Sequence, residues 1–237
     1  MIAVFVLTLR QLSGRWRLLI MGVLASLPVI IAAMAVRDLR AMPVQEFEEA
    51  VLSAMLAGSI SPLVVLAIAS VAFANEIEDR TLANLTLSPL PRWQIVVPKL
   101  LATVCIAGPF VAISAFYTSY IAFSGDMTAA VAVTASAFIG VALYASAFVW
   151  LGLKTTRAIG WGLLYIVLWE GFFSGFVAGV RFLSVRYYSI ALMRGFDGRR
   201  FVESTDLSFA FAIAASVIVF VGFLLLAIRR LRHMDVP

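Results

Sequence analysis

The chain has 237 residues, of which 63% are hydrophobic and 13% charged, with a net charge of +5 and a single cysteine. A soluble domain is roughly 45–50% apolar and about a quarter charged, so this surplus of apolar side chains excludes an ordinary water-soluble domain and requires a lipid environment. Nucleic-acid binding is excluded as the meaning of the positive charge: sixteen of the eighteen cations are arginines, and they flank apolar runs without forming a stripe. Cys105 alone permits no disulfide within the chain, and with His233 as the one histidine no His/Cys metal site can be assembled from it.

A helix that crosses the hydrocarbon needs about 20 apolar residues. Residues 1–17 open apolar, carry Arg10, Arg15 and Arg17, and show no A-x-A-like cleavage site, so an interfacial helix is expected there and not a removable signal. Spans are expected at 18–36, 51–74, 100–123, 129–153, 159–180 and 207–228. The connections Ser124–Thr128 and Lys154–Arg157 read as minimal turns, whereas 75–98 and 181–206 are longer than a bundle requires. Both long loops carry apolar residues at near-helical spacing (Leu82 and Leu85; Ile190, Leu192, Met193 and Phe196), which predicts short helices at the two interfaces. No unit of 20–50 residues recurs. Placing the N-terminus in the cytoplasm gathers eleven of the eighteen cations inside and most acids outside, so both termini are expected to be cytoplasmic. The expected fold is an all-α integral membrane bundle, a single transmembrane domain of six helices with an N-terminal interfacial helix.

Catalytic constellations are missing from this pattern. A P-loop needs GxxxxGK[ST], because glycine amides cradle the phosphates while the lysine meets them. Lys154–Thr155 supplies the last pair but follows Leu153 without a glycine loop, and Lys99 precedes a leucine. No ATP hydrolysis, and no enzyme activity, is therefore expected of this chain. Intramembrane proteolysis would need a Ser–His pair or two aspartates within spans; His233 lies outside them and the aspartates cluster at their ends.

The polar stretch between the second and third spans is the most informative. Asn75–Arg80 extends the second span as a charged helix on which Glu76, Asp79 and Arg80 lie close enough to pair. Ser88-Pro-Leu-Pro91 breaks it, Arg92-Trp93 places a cation and an aromatic at the interface, and Lys99 opens the third span. Such an elbow can present a short helix to a cytosolic partner, or it can be an ordinary amphipathic connector. Glu76 to Lys99 resembles the signature loop of ABC-2 type transporter permeases, in which an acidic pair precedes Gly-Thr-Leu, then a small-Pro-x-small/Pro-Arg element, then a lysine starting the third span. Glu76, Glu78, Thr81, Leu82, Leu85, Pro89, Arg92 and Lys99 fall in register, while Arg80 stands where the family usually has glycine, which favours a straighter helix. Leu9–Pro28, with Arg10, Arg17 and Pro28, is similar to the family's connecting helix and first span, less specifically.

The resemblance implies an ABC-2 exporter-like bundle in a prokaryotic cytoplasmic membrane. It implies a permease subunit that pairs with a second copy or a paralogue, each docking a cytosolic ABC ATP-binding subunit that holds ATP and Mg; this chain itself would carry no cofactor. Glu76, Glu78, Asp79, Arg80, Pro89, Pro91 and Arg92 are the residues it assigns to coupling with the ATPase. It further implies short re-entrant helices in 181–206 that cap the outer end of the pathway. Haem-, multidrug- and lipid-exporting branches share these marks, so the substrate stays open.

Two features stand apart from the resemblance. Glu170 lies near the middle of the fifth span, where a carboxylate is costly and a functional role is the default reading. It could bind a cationic substrate, relay a proton, or be hydrogen-bonded to Tyr or Ser on a neighbouring helix. Gly171, Gly175 and Gly179 recur every four residues and predict one face of close helix approach, within the subunit or across a dimer axis. The outer loop joins Arg186, Tyr187, Tyr188 and Arg194 to an apolar stretch before Gly198-Arg-Arg200; apart from the resemblance it reads as an interfacial helix with snorkelling arginines. Two other classes compete with the exporter: a non-transporting membrane scaffold, and an ion-driven secondary transporter, which would show broken helices and paired intramembrane charges.

Overall fold

The computed structural model describes residues 2–37, 44–73, 91–174, 178–201 and 207–233. Among these the structure is helical, with turns and no strands, because backbone polar groups in hydrocarbon must be satisfied within their own segment. Helix α1 is Ile2–Leu12 and α2 is Arg15–Arg37. Next come α3, Gln45–Phe73, α4, Trp93–Ala122, and α5, Met127–Lys154. Helix α6 is Ala158–Phe173, a 3₁₀ segment follows at Ala178–Leu183, and α7, Val185–Phe196, precedes α8, Phe209–Arg232.

Five of these helices (α2, α3, α4, α5 and α8) are long and apolar enough to cross a membrane, which makes this a multi-pass all-α membrane protein. Their burial separates them into two groups. The most apolar stretches of α3, α4 and α5 are 67%, 61% and 61% buried within the chain, against 22% for α2 and 17% for α8. The three central helices thus form the core, α2 rests on α4, and α8 rests on α5. The exposed sides of α2 and α8 carry Leu19, Val23, Ile30, Val217, Ile218 and Leu225, as expected of surfaces that face lipid or another subunit.

The segments depart from the sequence expectation at their ends. The N-terminal helix stops at Leu12 and not at residue 17, so that Arg15 and Arg17 belong to α2. It lies along α4, with Thr8 and Leu12 buried and Ile2, Val6 and Leu7 exposed. The Ser124–Thr128 turn is tight: Ser124 and Gly125 have φ of 54° and 86°, and the Asp126 carboxylate accepts from the amides of Thr128 and Ala129 at 3.0 and 3.2 Å, capping α5. Over the expected span of 159–180, the structure describes helix from Ala158 to Phe173 and a 3₁₀ segment at Ala178–Leu183, and residues 175–177 lie outside the described residues.

Two stretches are wound as π-helix: Glu48–Ile60 within α3 and Tyr165–Phe173 within α6. They pack against each other. The 185–196 helix also goes further into the protein than an interfacial helix would. Val185, Tyr188, Ser189 and Leu192 of α7 are buried, and the helix packs on α5, α8 and the π stretch of α3. A Cβ on Gly140 of α5 would stand 2.7 Å from the Ser189 hydroxyl, so this contact depends on glycine.

Candidate functional site

The polar centre of the bundle forms where α6 ends and α7 begins. Glu170, in the π stretch of α6, has no solvent exposure. Its carboxyl accepts from the Tyr165 hydroxyl at 2.9 Å, from the Ser184 hydroxyl, and from the Val185 amide at 3.1 Å. Ser184 is the N-cap of α7 and Val185 its first residue, so the Glu170 carboxyl sits on that helix's N-terminus, where the dipole favours negative charge. The Tyr144 hydroxyl, from α5, donates to the Ala57 carbonyl of α3 at 3.3 Å.

Arg186 completes the cluster. It is 9% exposed, the second residue of α7, with Nε donating to the Ser53 hydroxyl at 2.9 Å and a terminal nitrogen 3.4 Å from the backbone oxygen of Glu170. The Ser174 hydroxyl donates to that same oxygen at 2.6 Å. The Arg186 guanidinium stands 5.6 Å from the Tyr187 ring, within cation–π range. A Cβ on Gly58 would come within 2.9 Å of the Arg186 side chain, so the α3 backbone is bare where the arginine crosses it. Both π stretches therefore present a backbone oxygen to a side chain from another helix: Glu170 to Arg186, and Ala57 to Tyr144. That is a common use of π-helical geometry at functional sites.

This places the sequence-derived candidates unequally. Glu170 is buried and hydrogen-bonded by Tyr165 of its own helix and by Ser184 and the Val185 amide of α7, and Arg186 reaches its backbone oxygen and not its carboxyl. The snorkelling reading fails for Arg186, whose head group points into protein. The glycines spaced by four make no close contact within the subunit at the two described positions, Gly171 and Gly179. Gly175 lies outside the described residues, and Gly179 stands in the 3₁₀ segment with nothing within 4 Å of a built Cβ. At Gly171 a Cβ would meet only the Ile166 carbonyl of its own helix. Close approach in α6 occurs instead at Gly162, against Leu66 of α3.

Of the coupling candidates, Glu76, Glu78, Asp79, Arg80 and Pro89 lie outside the described residues. Pro91 and Arg92 start α4: the Pro91 carbonyl accepts from the Gln94 amide at 2.9 Å, and that of Arg92 accepts from Ile95 and Val96 at 3.1 and 3.2 Å. Lys99, further along α4, is buried; its ammonium donates to the Ala72 carbonyl near the end of α3 and lies 4.3 Å from the Phe73 ring centroid. Lys99 thereby ties α4 to residues 72 and 73 of α3.

Beside the Glu170 cluster a groove of about 790 Å³ opens sideways between α6 and α8, with α5 as its floor. Tyr165 belongs to both the groove and the polar cluster, and Tyr188 lines the groove beside it. Tyr144, Ser184 and Ser53 were not singled out from the sequence. Only Ser184 left a signal there, as a hydroxyl residue three positions before Tyr187, whose amide it caps. Among the described residues no group of three His, Cys, Asp or Glu side chains converges as a metal site would require. A scan against protein-family models finds no match to the chain, and a search of curated proteins finds no significant relative.

Proposed function

We propose that this protein is the membrane-spanning permease subunit of an ATP-driven exporter of the ABC-2 type, coupled to a separate cytosolic ATP-binding subunit. The observation that carries this reading is the outer segment. Beyond α6 the chain buries α7 against α3, α5 and α8, in keeping with the re-entrant cap on a pathway that the resemblance implies. In this reading α6 with the Ala178–Leu183 segment makes the fifth of six crossings, and both termini are cytoplasmic. Lys99 anchors the base of the 76–99 elbow, through which ATP-driven closure of the partner would be transmitted as a two-state displacement. Glu76→Lys with Glu78→Lys should abolish transport-coupled ATPase activity while the protein remains inserted. Unchanged coupling in that variant would refute the assignment.

A second reading, an ion-driven secondary transporter, draws support from one specific observation. Glu170 and Arg186 share a buried site where two π-wound helices meet, and such transporters place paired polar groups at irregular helices. Transport in proteoliposomes that persists with an imposed ion gradient and no ATP, and that is lost in Glu170→Gln, would favour it over the exporter.

A further inference from the structure

The sideways groove has a chemistry that neither reading uses. Its floor is the face of α5 that carries Phe148 and Trp150, one wall is the face of α6 from Trp161 to Phe173, and the other is Val219 and Phe223 of α8. Its polar groups are few. Part-way along it the hydroxyls of Tyr165 and Tyr188 are engaged inward, donating to Glu170 and to the Phe182 carbonyl, so both residues offer the groove their rings. At one end Lys154 and Thr155 close it. The occupant therefore has an apolar body and a polar end beside Lys154.

Its length and charge narrow the class. Twelve residues of α6 separate Trp161 from Phe173, about 18 Å of helix, close to the ~15 Å that one leaflet contributes to the hydrocarbon. Lys154 is exposed with its ammonium 5.0 Å from the Trp150 ring centroid, and Arg157 is exposed three residues on. Trp150 of α5 touches Phe223 of α8 at 5.5 Å between centroids, so both helices run to the same side and the Arg229, Arg230 and Arg232 end of α8 flanks the same mouth. None of these five cations forms an ion pair with a described residue.

We propose that this groove is a binding site for an anionic phospholipid, with one acyl chain between α6 and α8 and the phosphodiester head at the Lys154–Arg157 turn. The site follows from the groove and its charges, whether the protein exports, exchanges or scaffolds. Three of the five tryptophans, Trp150, Trp161 and Trp169, line it, which makes it directly observable.

The experiment uses the full chain carrying Trp16→Phe and Trp93→Phe, reconstituted in phosphatidylcholine nanodiscs. Brominated phosphatidylglycerol or brominated phosphatidylcholine is added at a low mole fraction, and tryptophan quenching is read. The expected result is quenching several-fold more efficient with the anionic lipid, and loss of that preference by about tenfold or more in affinity with Lys154→Gln and Arg157→Gln together. Equal quenching by the two lipids would show ordinary bilayer contact and overturn the proposal. So would a preference that survives the double substitution, since the head group would then lie elsewhere. Absence of quenching by either lipid, with an intersubunit disulfide at Leu164→Cys in a Cys105→Ser background, would assign the groove to a second copy instead.

Discussion

Replacing Glu170 with alanine removes the acceptor for three donors at once: the Tyr165 hydroxyl, the Ser184 hydroxyl and the Val185 amide. The Ser184 and Val185 bonds join α6 to the N-terminus of α7, the Tyr165 bond lies within α6, and the carboxyl they surround has no exposure to water. Interhelical hydrogen bonds in membrane proteins average about 0.6 kcal/mol and reach ~1.7, and a buried donor left unsatisfied adds to that cost. Two such bonds, the Tyr165 donor left unsatisfied and the vacated volume together give about 2–4 kcal/mol. At about 2–4 °C per kcal/mol for a protein of this size, the thermal midpoint should fall by about 5–15 °C. Glu170→Gln keeps one acceptor oxygen but turns an amide NH₂ toward donors, so about half that shift is expected. The assay is intrinsic-fluorescence melting of the detergent-purified protein, with Glu49→Ala, an exposed carboxylate, as the control that should stay within about 1 °C. A Glu170→Ala midpoint within ~1 °C of the parent would mean that the carboxyl does not hold α7 in place.

Arg186→Met should loosen α7, because it removes the donors to Ser53 and to the Glu170 backbone oxygen. In a Cys105→Ala background, a cysteine at buried Ser189 should be inert to a thiol reagent in the parent and reactive in the Arg186→Met protein. Gly152→Val should destabilise the crossing of α5 and α3, since even a Cβ there would stand 3.1 Å from the Ser70 carbonyl; overpacking of this kind costs about 1–3 kcal/mol, read as a lowered melting midpoint. Gly179→Ala, by contrast, meets nothing within 4 Å and should change the midpoint by less than ~0.5 kcal/mol equivalent.

Hydropathy made the spans legible because the signal is additive over about 20 residues and does not depend on neighbours. It could not show that Tyr165–Phe173 is π-wound or that Ala178–Leu183 is 3₁₀-helical, since apolarity carries no signature of winding. Spacing by four stacks residues only while the winding stays near 3.6 per turn, and Gly171 lies in the π-wound stretch and Gly179 in the 3₁₀ segment. The burial of Glu170 was legible from its depth, but its partners were not: Ser184 is fourteen residues away across a turn that no local pattern announces. Arg186 was missed most fully. An arginine beside two tyrosines in a polar loop reads as interfacial, and only the packing of α7 on α3 and α5 reveals that its partners are the Ser53 hydroxyl and a carbonyl of a π-helix.

The central claim, an export subunit driven by a separate ATPase, is tested most directly by purifying the affinity-tagged chain from its native membrane in mild detergent and measuring Mg-dependent ATP hydrolysis. The predicted result is vanadate-sensitive hydrolysis that co-purifies with a P-loop subunit and disappears in the Glu76→Lys, Glu78→Lys protein while the chain itself is recovered at parental yield. A homogeneous, folded preparation that transports under an ion gradient, with neither ATPase activity nor a P-loop partner, would contradict it.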